Sequence, residues 1–127
     1  MNVPTDLKYS PEHTWLRQES DGSVTVGITD HAQETLGDLV YVEAPAVGRR
    51  VSKDEACGIV ESVKTASDVH TPASGEVIAV NTELADAPEK INADAYVAWI
   101  FRLKPSNPAE FAGLLDADAY QKVAYAG

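Results

Sequence analysis

The sequence predicts a mostly β protein, a β-sandwich or flattened barrel of two sheets, with short helices that include a C-terminal helical segment. Three observations carry this prediction. Short runs rich in β-branched and aromatic residues alternate with Gly, Pro, Ser and Asp, helical periodicity is confined to short segments, and apolar residues make up 44% of the chain. That apolar share suffices for one core, and the turn residues are spread along the whole chain. We therefore expect one domain over residues 1–127, without a linker.

Each predicted element begins or ends where the periodicity of apolar residues changes or a turn residue interrupts it. In chain order, the elements are strands over 15–19 and 23–28, a helix over 31–36, strands over 38–43, 56–63 and 76–80, a turn or single helical turn over 82–92, a strand over 96–104, and helices over 108–115 and 116–126. Thr29 and Asp30 suit the N-cap of the first helix, and Gly37 suits its end. Pro105 ends the last strand, because proline lacks the N–H group that a sheet requires.

Two of these elements carry specific packing predictions. The strand over 56–63 is apolar at successive positions as far as Glu61, which predicts burial on both faces. The two C-terminal helices are amphipathic, so one face of each should pack on the body of the protein. That face consists of Phe111, Leu114, Leu115, Tyr120 and Val123.

Charge and cysteine content narrow the range of functions. The net charge of −10 repels the phosphates of nucleic acids and anionic membranes, and it favours partners with basic docking faces. No apolar run approaches the ~20 residues of a membrane span. The N-terminal residues show neither a signal-peptide nor a transit-peptide pattern, and the single cysteine, Cys57, cannot form an internal disulfide. We expect a cytoplasmic protein, or a protein of the mitochondrial matrix if the chain is a processed form.

No known catalytic constellation is evident. The sequence has no GxSxG elbow, no glycine-rich phosphate loop and no paired-cysteine metal site. His13, His31 and His70 share no ligand spacing and are interpreted as scattered surface histidines. Cys57 lies inside an apolar run, which favours a small buried side chain over a reactive thiolate. The sequence therefore indicates a protein without catalytic machinery of its own.

The segment ESVKTASDVH, residues 61–70, contains an isolated lysine. Lys64 follows the predicted buried strand, and the return strand is expected to begin at Thr71, so Lys64 should lie at the exposed tip of a hairpin. An isolated surface lysine usually serves only solvation. Here Glu61 and Asp68 flank it and the residues between them are small or polar, a setting that suits an enzyme that grips the hairpin and modifies the amine.

The residues around this lysine belong to a larger pattern. GIVESVKTASDV resembles the lipoyl-attachment segment of the H proteins of the glycine cleavage system. Four further blocks resemble other parts of that family, in the family's order: LKYSPEHTWL, VGITDHAQETLGDLVYVEAP, SGEVIAVN and PAEFAGLLDADAYQKV. Biotinyl domains and other lipoyl domains also present a hairpin lysine, but they lack the GITDHAQ block and the C-terminal helices. The resemblance covers nearly the whole chain and implies a lipoyl/biotinyl-type β-sandwich.

The resemblance also implies a function. Lys64 would carry covalently attached lipoate, which forms an arm roughly 14 Å long when bond lengths are summed. In this family, glycine decarboxylase (P protein) transfers an aminomethyl group to the arm, aminomethyltransferase (T protein) passes the carbon to tetrahydrofolate and releases ammonia, and dihydrolipoamide dehydrogenase (L protein) reoxidises the dithiol. A lipoate-attaching enzyme would modify Lys64 and recognise Glu61. The resemblance thus implies a monomeric, non-catalytic carrier.

Two stretches depart from the family's pattern. The family usually has His-Glu-Trp near the N-terminus, with the glutamate associated with the aminomethyl amine, and here that position in the arm cleft is Thr14. Asp68, which matches the motif, becomes the better candidate for contacting the loaded arm, with stabilisation of the hairpin turn as its alternative role. The family commonly has Tyr-Gly-x-Gly-Trp where residues 96–99 are one residue shorter and lack glycine. We expect a local loop change there, with Trp99 still entering the core.

Three alternatives remain open. The first is an H-like protein that delivers lipoyl groups to other complexes or serves a different pathway. The second is a non-lipoylated binding or regulatory module on the same fold, and the third is an enzyme that uses Cys57. A lipoyl mass that disappears in Lys64→Ala would remove the second and third.

Overall fold

The structure is a computed structural model, and it describes residues 3–124. In this part of the chain, two antiparallel sheets and several short helices surround a shared core, which confirms the predicted mostly β sandwich with short helices. The strands are β1 (Lys8–Tyr9), β2 (Thr14–Gln18), β3 (Val24–Ile28), β4 (Leu39–Glu43), β5 (Arg50–Val51), β6 (Ala56–Ser62), β7 (Ala66–His70), β8 (Gly75–Val80) and β9 (Phe101–Pro105). The helices are α1 (Asp30–Leu36), α2 (Glu83–Asp86), α3 (Lys90–Ala93) and α4 (Ala117–Ala124), with a 3-10 helix over Pro108–Gly113.

The two sheets share the main hydrophobic core. Within residues 3–124, one sheet has the strand order β1-β2-β3-β9-β8-β5 and the other has the order β4-β6-β7. This core contains Val26 of β3 and Leu103 of β9 from the larger sheet, together with Val60 of β6 and Val69 of β7 from the smaller one. Because Val60 and Val69 anchor β6 and β7, the turn that joins these two strands is attached to a rigid base.

A second hydrophobic cluster joins the C-terminal helix to the N-terminal strands. Its buried members are Leu7, Tyr9, Trp15, Ala117 and Tyr120. The rings of Tyr9 and Tyr120 stack with centroids 4.7 Å apart, and Tyr9 exchanges two backbone hydrogen bonds of 2.8 Å with Leu115. Trp15 lies across β3, where a Cβ atom at Gly27 would come within 2.6 Å of its ring. The cluster therefore holds α4 against β1 and β2.

The predicted burial of the strand over 56–63 on both faces holds only in part. Only Cys57 and Gly58 are buried in succession, next to a register shift in the pairing with β7. From Gly58 onward β6 alternates, since Val60 and Ser62 are buried, Glu61 is exposed and Ile59 is half-buried. The smaller sheet covers the core with one face only, and its outer face, which includes Tyr41 of β4, meets solvent. An antiparallel sheet covered on one side needs apolar residues at alternate positions only.

The last strand begins later than predicted. β9 starts at Phe101, and the segment from residue 96 is a turn, because the carbonyl of Asp94 accepts the N–H groups of Val97 at 3.3 Å and Ala98 at 3.0 Å. Trp99 is half-buried and packs against the second cluster, so its predicted entry into the core is only partial. The polar residues 82–92 contain two short helices, α2 and α3, where at most one helical turn was predicted.

The C-terminal segments are helical as predicted, with changes in type and length. Residues Pro108–Gly113 form a 3-10 helix, α4 begins at Ala117, and the predicted helix residues 125 and 126 lie outside the described residues. Val123 is 49% exposed, so its assignment to the packing face is wrong. The packing stripe of α4 runs through Ala117, Tyr120 and Ala124, which are three and four residues apart, and Val123 lies beside it. In the described part of the chain, no helix is long and apolar enough to cross a membrane.

Candidate functional site

Lys64 lies at the tip of the hairpin formed by β6 and β7. The N–H group of Ser62 donates to the carbonyl of Thr65 at 2.7 Å and closes the turn. The side-chain oxygen of Ser62 accepts the N–H groups of Lys64 at 3.2 Å and Thr65 at 3.1 Å, and its hydroxyl donates to the carbonyl of Thr65 at 3.1 Å. Ser62 is buried and Lys64 is exposed. The turn is therefore fixed from its inner side, and the lysine projects outward.

The return strand begins earlier than the sequence predicted. β7 starts at Ala66, directly after the turn, and the expected start at Thr71 is wrong. The register pairs Ala66 with Glu61 and Asp68 with Ile59. β7 is an edge strand whose residues 66–68 are exposed, so it lacks the apolar alternation that marks a half-buried strand.

The end of α1 supports the side chain of Lys64. A Cβ atom at Gly37 would lie 3.2 Å from Cε of Lys64 and 3.6 Å from its Nζ, so the glycine leaves space that the lysine side chain uses. Gly37 has φ 87° and ψ −155°, a region that is essentially open to glycine alone. Asn92 of α3 holds this segment, because its Nδ2 donates to the carbonyl of Gly37 at 2.9 Å and its Oδ1 accepts the N–H group of Leu39 at 2.9 Å.

A cavity of about 140 Å³ lies between the hairpin, α1 and the loop that joins β1 to β2. Its apolar lining consists of Ile28, Ala32, Leu36 and Val60. Its polar lining consists of Glu12, His13, Thr14, His31, Thr35, Ser67 and Asp68. An apolar cavity of about 150 Å³ in another protein binds benzene. The present cavity therefore has room for a small ring.

The cavity is within reach of a long group attached to Lys64. Val60 of β6 and Asp68 of β7 both line it, and each lies four residues from Lys64 along its strand. Four strand residues span about 13 Å, at about 3.3 Å per residue. An arm of roughly 14 Å on the lysine amine can fold back along the hairpin as far as the cavity.

The structure brings two of the three further predicted site residues to this cavity. Asp68 is among its lining residues, but its pairing with Ile59 places its side chain on the outer face of the sheet. The alternative role of Asp68 in the turn is wrong, because Asp68 lies within β7 and Ser62 makes the turn's side-chain bonds. Thr14 also lines it but is buried, with its hydroxyl 2.6 Å from the hydroxyl of Ser10. Glu61 lies exposed on the outer face of β6, away from the cavity lining.

Two histidines of the cavity were missed as site residues. The rings of His13 and His31 lie with centroids 4.7 Å apart, so the interpretation of these two as scattered surface histidines is wrong. Burial lowers the pKa of His13, and the charge of nearby His31 lowers it further. Glu12 lies next to His13 on the rim. The available signal was their position inside the PEHTW and TDHAQ segments of the resembling blocks.

Nucleophilic and metal chemistry find little support in this geometry. Cys57 is buried, and burial raises the pKa of its thiol to about 11, so a thiolate is scarce at neutral pH. This agrees with its interpretation as a small buried side chain. Among residues 3–124, no group of three or more His, Cys, Asp or Glu side chains is arranged to hold a metal ion.

Comparison with known proteins agrees with this geometry. A family model described as "Glycine cleavage H-protein" matches residues 7–126. The chain is 61% identical over 123 residues to the glycine cleavage system H protein of Thiobacillus denitrificans, covering 97% of this chain and 95% of that protein, and 59% identical over 123 residues, with the same coverage, to that of Nitrosomonas eutropha. The crystal structure of a glycine cleavage system H protein from Mycobacterium marinum superimposes with a TM-score of 0.85 at 43% identity, covering 94% of this chain and 96% of that one. The chain therefore belongs to the glycine cleavage H-protein family, whose members are non-catalytic lipoyl carriers.

Proposed function

We propose that Lys64 carries lipoate in amide linkage and that the arm alternates between solvent and the cavity beside the hairpin. The observation that carries this proposal is an exposed lysine on a rigid turn, with a partly apolar cavity at the distance of the arm. When attached, lipoate supplies a flexible chain and a disulfide–dithiol pair that carries a one-carbon unit between separate active sites. The protein supplies the presentation of the lysine and the shelter for the arm.

The cavity lining fits a lipoyl group. Leu36, Val60 and Ile28 offer an apolar wall for an alkyl chain and a five-membered ring. Asp68 borders the same space, although its pairing with Ile59 places its side chain on the outer face of the smaller sheet. We propose that a positively charged amine on the arm reaches its carboxylate at the edge of the sheet, because opposite charges attract. Thr14 contributes a hydroxyl that Ser10 already engages, so we assign it a place in the cleft wall.

We assign Glu61 to an interaction that does not involve the cavity. It is exposed on the outer face of β6, three residues before Lys64, with Tyr41 of β4 opposite and Val63 exposed beside the lysine. An enzyme that attaches lipoate must approach Lys64 from solvent. The outer face of β4 and β6 is open to such an enzyme, which has no need to enter the cavity. We therefore assign Glu61 to recognition by the lipoate-attaching enzyme.

The partners follow from the family. We propose that glycine decarboxylase, aminomethyltransferase and dihydrolipoamide dehydrogenase each receive the arm in turn, in the cytoplasm, from a monomer in which residues 1–127 form one lipoyl-bearing domain. The net charge of −10 supports docking on basic faces of those enzymes. An arm on a fixed carrier raises the effective concentration of its cargo at each active site in turn.

Intact mass spectrometry tests the modification. The protein from lipoate-replete cells should gain one lipoyl mass, and Lys64→Arg should gain none, because a guanidinium group stays protonated and accepts an acyl group poorly. Lys104→Arg, an exposed lysine of β9, is the matched control and should be lipoylated like the parent. A lipoyl mass retained by Lys64→Arg would overturn the assignment. Reconstitution with the three enzymes then separates glycine cleavage from delivery of lipoyl groups elsewhere.

A further inference from the structure

The buried hydroxyl group of Tyr120, in the C-terminal helix, is hydrogen-bonded to residues of the two elements that bound the cavity. Tyr120 of α4 is fully buried, and its hydroxyl oxygen lies 2.7 Å from Nδ1 of His13 and 2.6 Å from Oγ1 of Thr29. His13 lines the cavity from the β1–β2 loop. Thr29 is the N-cap of α1, and α1 carries the opposite wall. One side chain outside the cavity therefore connects the two elements that bound it.

The hydrogen bonds of Thr29 favour one direction along this chain. Its Oγ1 accepts the N–H group of Ala32 at 3.2 Å, so its own proton can be donated to the oxygen of Tyr120. Tyr120 then donates to Nδ1 of His13, and each buried hydroxyl both gives and receives a hydrogen bond. The reverse order would leave the proton of Thr29 without the acceptor that Tyr120 supplies. In the favoured order His13 is neutral and carries its proton on Nε2.

The backbone of His13 is held by the same elements. Its φ of 68° lies in the left-handed region, which non-glycine residues rarely adopt. The carbonyl of His13 accepts the N–H group of Thr29 at 3.0 Å, and its N–H group donates to the carbonyl of Ser10 at 3.1 Å. A strained residue persists only where its surroundings determine its conformation, and such residues concentrate at functional sites.

We propose that Tyr120 is a positioning residue for the lipoyl arm, because its hydroxyl holds His13 in one tautomer and fixes the spacing between His13 and α1 across the cavity. This inference rests on the proposed function, since it takes the cavity as the site of the arm. The docking of α4 then determines which hydrogen-bonding groups the cavity offers. The other titratable groups on the cavity are Glu12 beside His13, His31 on α1 and Asp68 on β7.

Nuclear magnetic resonance of the His13 ring tests the inference in unlipoylated protein. Tyr120→Phe removes the hydroxyl and keeps the ring that stacks on Tyr9. Tyr9→Phe is the matched control, because it removes a hydroxyl from the same cluster that donates to the carbonyl of Pro4. Ring ¹⁵N shifts should place the proton on Nε2 in the parent and in Tyr9→Phe. Tyr120→Phe should show both tautomers and a higher pKa of His13, because the bond that favours the neutral ring is lost.

The lipoylated proteins supply the second measurement. Lipoylation should shift the amide signals of Ala32, Thr35 and Asp68 in the parent and in Tyr9→Phe, and Tyr120→Phe should lose most of that shift. Unchanged His13 ring signals, or equal amide shifts in all three proteins, overturn the inference. If Tyr120→Phe fails to fold, Thr29→Ala breaks the same chain from α1 and must alter the His13 ring signals. Absence of shifts in the parent would instead reject the cavity as the arm's site, and absence of a lipoyl mass would reject lipoylation itself.

Discussion

Ser62 should determine how rigidly Lys64 is presented. The change Ser62→Ala removes a hydroxyl that accepts two backbone N–H groups, those of Lys64 and Thr65, and donates to one carbonyl. The backbone bond between Ser62 and Thr65 that closes the turn remains. The variant therefore loosens the turn and leaves the hairpin in place.

The magnitude follows from the exposure of the groups that lose their partner. A hydrogen bond contributes about 0.5–1.5 kcal/mol net. Lys64 and Thr65 are exposed, so their N–H groups can bind water after the change, which reduces the cost of the three lost bonds. We expect a loss of about 1–2 kcal/mol in the free energy of unfolding, which lowers Tm by about 4–8 °C in a domain of this size.

Thermal unfolding and amide hydrogen exchange at residues 64 and 65 measure the effect, and the initial rate of enzymatic lipoylation gives its functional consequence. The control is Thr65→Ala in the same turn, whose hydroxyl makes a long hydrogen bond of 3.5 Å to the carbonyl of Ala66. Ser62→Ala should exchange faster and be lipoylated more slowly than Thr65→Ala. Equal Tm, exchange and lipoylation rates in the two variants would refute the view that the Ser62 hydroxyl holds the turn.

Three further predictions concern the core, the cavity and pH. Trp15→Ala should lower the free energy of unfolding by about 3–5 kcal/mol, because it truncates a large core side chain. Trp99→Ala should lower it by about 1–2 kcal/mol, because the half-buried Trp99 removes less apolar area from water. Equal denaturation midpoints for the two variants would contradict their assigned burial. Asp68→Asn should leave lipoylation and Tm nearly unchanged and shorten the lifetime of the carried one-carbon group, measured as ammonia release; equal lifetimes would remove Asp68 from the arm's contacts. Because the pKa of His13 is lowered below its usual 6.5 in the folded protein, the unfolded chain binds more protons, and this part of the stability is present above pH 6.5 and lost as pH falls below it. His13→Asn, which tolerates the left-handed backbone, should flatten that decline in chemical denaturation curves, and an unaltered pH dependence would count against a neutral His13.

The sequence by itself determined the strand-rich architecture and singled out Lys64 as the candidate for modification. Turn residues and alternation located most of the strands, and the N-cap Thr29 and the terminal Gly37 placed α1 correctly. Lys64 could be singled out because the signal is local: a basic residue between a strand and a polar run, inside a motif resembling a known attachment segment. Local hydrogen bonds and periodicity are encoded within a few neighbouring residues, so the sequence displays them directly.

Only the tertiary structure decided what surrounds that lysine. β7 looks polar because it is an edge strand, and its pairing with β6 depends on the partner strand. His13 and Tyr120 lie 107 positions apart in the sequence, yet the hydroxyl of Tyr120 is hydrogen-bonded to the ring of His13. The ring of His31 contacts the same ring. Such contacts arise from the docking of α4 and α1 on the sheets, and no local propensity specifies that docking. The sequence therefore singled out the candidate lysine, while packing between distant segments built the cavity beside it.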